Sequence, residues 1–205
     1  MMNLEEIKGE ITKFFIDSIV PDNHPRLGIV EDKNGIKVTI NEASSGSECK
    51  WISVRLPKEV KILPFRVDKR KYYKIFRNKK RCEAAILTKA NNKLHLILFE
   101  LKSTLTFERL RETKLQIMSS LYFLLAILKF IEYIPEKLWA VVGYTENKLF
   151  SEPTDFDLDI MEEERRKLRK EWENGTFIVN GVCGSKIDIK IEKGLCHSEI
   201  NLQLT

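Results

Sequence analysis

"CEAAILTKANNKLHLILFELKS", residues Cys82–Ser103, is apolar toward both ends and polar in the middle, and it sets Glu83, Glu100 and Lys102 among core-type residues. An unpaired carboxylate is costly to bury, so two of them in an apolar setting require either partners or a use. A hairpin turning at Asn91-Asn92, residue types that tolerate positive φ, places Glu83 directly opposite Glu100. Their Cβ atoms are then roughly 4.5–5.5 Å apart on one face of the sheet. Lys102 shares that face, and Leu94, Leu96 and Leu98 extend it as an apolar floor, while His95, Ile97, Phe99 and Leu101 form the other face. A strand apolar on both faces is central in its sheet, which puts the Glu-Glu-Lys group at the end of a buried strand.

On the N-terminal side of this stretch, Arg66–Arg81 ("RVDKRKYYKIFRNKKR") carries nine basic residues against the single acid Asp68, with Tyr72, Tyr73 and Phe76 interleaved. Earlier still, "RLGIV", "GIKVTI" and "WISVRL" read as short strands separated by turn-forming segments, and Asn3–Val20 repeats apolar residues at helical spacing. On the C-terminal side, Leu105–Ile134 is a long helical pattern, "KLWAVVGYT" a core strand, and Asp159–Glu173 a solvated helix with Glu162 and Glu163 each four residues before a cation. "TFIVNG", "IDIKIEKG" and "EINLQL" return to strand alternation. This order predicts one α/β (α+β) domain over residues 1–205, a mixed central sheet flanked by helices. Its core covers about 66–145, with the N-terminal helix and hairpins over 1–65 and a C-terminal helix and strands over 146–205.

A chain of 205 residues with 43% hydrophobic content can bury a substantial core without staples. Cys49, Cys82, Cys183 and Cys196 show neither metal-ligand spacing nor the density of a disulfide framework, and no leader-like apolar segment opens the sequence, so a reduced, cytoplasmic protein is expected. The longest apolar run, Leu121–Leu128, is too short for a membrane span. The helix around it reads as core, with a dimer face or a contact in a larger complex as the alternative. Three scattered histidines supply little for a zinc site or a Ser-His-Asp triad. The net charge of +5 is compatible with a polyanionic partner.

Two facing carboxylates repel unless a cation sits between them or one is protonated, and Mg²⁺ is a natural cation for one or two carboxylates plus water. Lys102 would stand beside that centre as a point charge on water or phosphate. An acid in one strand followed, after a hairpin, by Glu-x-Lys in the next resembles the PD-(D/E)xK nuclease superfamily. The resemblance covers roughly Arg81–Ser120. It implies a restriction-endonuclease-like core and Mg²⁺- or Mn²⁺-dependent hydrolysis of phosphodiester bonds, with DNA expected ahead of RNA as the substrate, in microbial defence, mobile-element or repair systems. Glu83 and Glu100 would then be the metal ligands, Lys102 the catalytic lysine and Gln116 the glutamine that some branches point back into the site. Ser120 stands where the RecB-like branch has Tyr, and Cys82 where the motif has Pro. An upstream acid would come from Glu10, Glu42 or Glu48.

Arg70, Lys71, Lys74 and Arg77 are the expected nucleic-acid contacts, since positive charge beside a metal centre guides a phosphate backbone toward it. Ordinary alternatives accompany each choice: Glu100 and Lys102 as a strand end emerging into solvent, Gln116 as a surface residue, the basic run as a solvated loop, and Cys82 as a small core residue. Two other readings of the whole chain remain beside an active nuclease. One is a non-catalytic nuclease-like subunit that binds nucleic acid or joins a complex, and the other is an interaction module in which the charges are incidental.

Overall fold

A computed structural model describes residues 3–15, 19–42, 47–67, 81–149, 159–181 and 185–204. Its elements are α1 (Leu4–Phe14), β1 (Leu27–Asp32), β2 (Gly35–Asn41), β3 (Trp51–Leu56), β4 (Ile62–Phe65), β5 (Ala84–Ala90), β6 (Lys93–Leu105), α2 (Phe107–Phe130), β7 (Lys137–Asn147), α3 (Asp159–Glu173), β8 (Thr176–Asn180), β9 (Lys186–Leu195) and β10 (Glu199–Asn201). Asn3 caps α1 and forms a reciprocal capping box with Glu6; the helix buries Leu4, Ile7 and Ile11 and closes at Phe15, short of the expected Val20. Thr106 caps α2 by accepting from the Arg109 N–H.

Two sheets form. The larger has the order β4-β5-β6-β7-β9-β8 and the smaller β1-β2-β3-β10. In the larger, β4, β5 and β6 are an antiparallel meander, α2 crosses over to bring β7 parallel to β6, and β9 lies parallel to β7. The sheet is therefore mixed, and it takes in β4, β8 and β9 from beyond the expected 66–145 core. One face of the large sheet, with Ala85, Leu87, Leu96, Leu98, Ala140 and Val142, packs on the helices. The opposite face, with Ala84, Ile86, Ile97, Phe99, Trp139 and Val141, packs on the small sheet. This three-layer arrangement explains why β6 is apolar on both faces: it is an inner strand of a sheet covered twice. By length and composition α2 could cross a bilayer, but its buried stripe, including Leu110, Ile117, Leu121, Leu124 and Leu128, belongs to the core.

The hairpin register is the one expected. Ala84 faces Phe99 and Ala90 faces Lys93, with Asn91 and Asn92 at φ 50° and 60°. The expectation of unpaired thiols is corrected at two positions, because Cys49 and Cys196 form a disulfide across 147 positions of sequence. The parallel pairing of β10 with β3 brings these distant segments together, a contact that local spacing cannot reveal.

The two sheets approach closely where Gly143 and Gly194 sit side by side in register under Ile52 of β3. A Cβ on Gly143 would lie 2.8 Å from Leu101 Cδ2 and 3.2 Å from Ile52 Cδ1. Gly143→Val should therefore overpack this seam and cost about 1–3 kcal/mol, a drop in melting temperature of roughly 3–10 °C. An unchanged melt would show that the seam has room that this packing denies.

Candidate functional site

The β6 strand carries Glu100 and Lys102 on its helix-facing side. Glu100 is 0% exposed, and its Oε1 lies 2.7 Å from the Lys102 ammonium, itself 12% exposed. Lys102 Nζ also donates to Gln116 Oε1 at 2.7 Å, and Gln116 Nε2 donates to the Arg81 carbonyl at 3.0 Å. Gln116 sits on α2, the crossover helix packed over β6, so the amide of the helix, the ammonium of the strand and the buried carboxylate form one chain of contacts. A lysine ammonium has three N–H donors, and Glu100 and Gln116 engage two of them. The structure thus brings together three residues that the sequence singled out, Glu100, Lys102 and Gln116.

Glu83 takes a different arrangement. Its N–H donates to the Phe99 carbonyl at 2.9 Å, so the ladder slips by one residue where Glu83 leaves β5. Its carboxylate forms an ion pair with the Arg26 guanidinium. The Arg26 main chain is fixed by His24 Nδ1, which accepts the Arg26 N–H at 3.1 Å, and by the Asn41 N–H, which donates to the Arg26 carbonyl at 2.8 Å. The sequence expected one cation between two facing carboxylates. The chain instead supplies each carboxylate with its own cation, Arg26 for Glu83 and Lys102 for Glu100.

Burial pushes the Glu100 carboxyl from its ordinary 4.5 up to about 7; Lys102 pulls against this, while the negative charges of Glu42 and Glu112 add to it. Among the three upstream acids, Glu42 is thus the one whose charge reaches Glu100. Glu10 is instead felt by Tyr133, and Glu48 lies in the segment leading into β3, where its N–H donates to Ser103 Oγ at 3.1 Å. Sequence reasoning did not find Glu112. Its signal was helical spacing, since it stands four residues before Gln116 and so on the same face of α2.

Cys82, adjacent to Glu83, is fully buried; burial first, and then the Glu100 charge, hold its thiol well above the ordinary range. It is a core thiol whose N–H donates to Ser120 Oγ at 2.9 Å, which gives Ser120 a structural task. His95 lies on the opposite face of β6, where its Nδ1 accepts from the Trp139 indole at 3.2 Å and burial lowers its pKa. His95, on the far face of the strand, is turned away from Glu100. The basic contacts Arg70, Lys71, Lys74 and Arg77 lie outside the described residues. Among the described residues, no set of three or more His, Cys, Asp or Glu side chains converges as a ready-made cation cage. Comparisons with known family models, curated proteins and solved structures find no match to this chain.

Two outcomes follow from these pairings. Glu83→Gln removes the counter-charge of a largely buried Arg26 and should cost about 1–3 kcal/mol, read as a lower denaturant midpoint; a neutral or stabilising result would mean that Arg26 does not depend on Glu83. For Glu100, the native state keeps between about pH 4.5 and 7 a proton that the unfolded chain releases, so stability falls as pH rises through that window. The loss is roughly 3 kcal/mol in all. Across the window the wild type should lose melting temperature relative to Glu100→Gln, both proteins carrying the opposing rise of His95, whose pKa burial lowers. The carboxyls of Asp22, Asp32 and Glu199, held low by ion pairs, titrate below it. Parallel slopes in the two proteins would remove Glu100 as the titrating group.

Proposed function

We propose that this chain is a metal-dependent nuclease of PD-(D/E)xK type, hydrolysing phosphodiester bonds in DNA in preference to RNA, with the large sheet as a restriction-endonuclease-like core. The observation that carries this reading is the contact chain Glu100–Lys102–Gln116. A structural ion pair on a doubly covered strand could be replaced by apolar residues at little cost, so a fully buried carboxylate held beside a partly exposed lysine has the character of a working group. The mixed sheet and the Gln-bearing helix after the motif strand also agree with the resemblance.

The donors fit a hard divalent cation. Glu100 Oε2 is buried with no hydrogen-bond partner among the described residues, and carboxylate oxygens are the ligands that Mg²⁺ and Mn²⁺ prefer. Glu100 would be the principal ligand, with Glu42 or Glu112 approaching from the small sheet or from α2, and Glu83 available only on release from Arg26. When bound, such a cation supplies a polarised phosphate oxygen and a more acidic water. This chain's own residues do the rest. Gln116 fixes the Lys102 ammonium, Lys102 directs its remaining N–H at the phosphate or the attacking water, and the apolar layers on both sides of β6 exclude bulk solvent. Since burial raises the Glu100 carboxyl to about 7, it is partly protonated near neutrality, and loading the cation should release that proton.

A second reading rests on the ion pairs themselves. Arg26 and Lys102 already supply each of the two carboxylates with a counter-charge, as suits a nuclease-like subunit that binds nucleic acid without cleaving it. Incubation with linear, circular and single-stranded DNA in Mg²⁺ or Mn²⁺ separates the two. Cleavage by the wild type should fall by about 10²–10³ in Glu100→Ala and in Lys102→Ala, with both variants still melting cooperatively. Wild-type rates in either variant would end the site assignment, and DNA binding without cleavage would favour the second reading.

A further inference from the structure

We propose that the Cys49–Cys196 disulfide is a redox-modification site whose dithiol reductant switches the candidate active site, an inference that rests on the nuclease reading above. Cys49 is fully buried in the core between the sheets at the start of β3, and Cys196 is half-buried between β9 and β10 beside the exposed Leu195 and His197. The bond therefore joins the small sheet to the large one at the end of the large sheet where Lys102 lies. The segment before β3 rests directly on the residue after Lys102. Ser47 Oγ and Ser103 Oγ are 3.2 Å apart, and the Glu48 N–H donates to Ser103 Oγ at 3.1 Å. On the other side, the Lys50 N–H donates to His197 Nε2 at 3.3 Å, and the Lys50 carbonyl accepts the Glu42 N–H at 2.8 Å. Glu42 is the acid of this segment whose charge reaches Glu100. The stretch Ser47–Lys50 thus touches the neighbour of Lys102, holds the candidate ligand Glu42 through its N–H, and is tied covalently at Cys49.

The more accessible sulfur is that of Cys196. A thiolate of a small dithiol, or of a dithiol protein, attacks Cys196 Sγ; the Cys49–Cys196 bond breaks and Cys49 leaves as a thiolate that takes a proton. The second thiol of the reductant then displaces Cys196 from the mixed disulfide. The protein gains two thiols and two electrons, and the reductant becomes a disulfide. Without the covalent link, the segment is held to Ser103 and His197 by exchangeable hydrogen bonds. Reduction should loosen Glu42 and Ser103 together, lowering activity while the sheets persist.

Protein purified under thiol-blocking conditions should yield a linked Cys49–Cys196 peptide in non-reducing mapping. Treatment with dithiothreitol should speed Lys-C cleavage after Lys50 and slow Mg²⁺-dependent DNA cleavage, each by about fivefold or more, with both reversed on reoxidation. The melting temperature should drop by roughly 5–15 °C with the transition still cooperative. Cys49→Ser should behave as the reduced wild type does. Absence of the linked peptide, equal DNA cleavage in the two redox states, or loss of the cooperative melt on reduction would each overturn the switch, the last by making the bond a plain staple. No DNA cleavage in the oxidised state would instead sink the nuclease reading, and the mapping and proteolysis arms report independently of it.

Discussion

A carboxylate on a strand covered from both sides has to find its counter-charge within reach of its own neighbours, and Glu100 finds it two residues along the same strand. Strand alternation puts Lys102 on the same face, and the ammonium is held 2.7 Å from the carboxylate. The rest of the site is arranged around this contact. The α2 helix lies where Gln116 can hold the far side of the ammonium, and the Arg81 carbonyl fixes the Gln116 amide in turn. Desolvation still outweighs the ion pair, so Glu100 keeps its proton up to near neutrality, where the protonated and ionised forms are about equally populated. A group poised in that way responds to any cation or proton that reaches it.

What could be read along the chain depended on whether the governing contact was local. The hairpin was legible because Asn91-Asn92 and the alternation on either side specify one register. Helix α3 was legible to its end residues because Asn174 and Gly175 close a run of i,i+4 charge pairs. The β4 strand was not, since Pro64 argues against a strand; it is tolerated there because β4 is the outer strand of the large sheet. The same limit applied at the site. Glu100, Lys102 and Gln116 lie within one strand-helix unit and could be grouped from spacing. Arg26 as the partner of Glu83, and Cys196 as the partner of Cys49, come from segments that only the packed sheets bring together.

The three layers divide the work. The helical layer supplies the apolar cover and Gln116, the large sheet supplies Glu100 and Lys102, and the small sheet supplies Arg26, Glu42 and the segment resting on Ser103. The seam at Gly143 and Gly194 lets Ile52 come close enough to join the two sheets by direct packing. Charges from beside the small sheet are thereby brought near β6, although they lie far from it in sequence. A candidate site assembled from three layers depends on the packing between all three.

The short strand β10 has a consequence for how the protein behaves before it is fully folded. Its three residues pair with Ser53, Val54 and Arg55 and cover the outer side of β3, helped by Arg55, whose guanidinium reaches Glu199 across 144 positions of sequence. Until that pairing forms, β3 is an open edge whose unpaired N–H and C=O groups can template a strand from another copy of the chain. Contacts of such long sequence separation close late, because the loop entropy has to be overcome before the contact rewards it. The period most favourable to self-association is thus the wait for Glu199–Asn201 to dock. Colloidal behaviour during refolding should follow the arrival of this three-residue clasp more closely than the strength of the finished core.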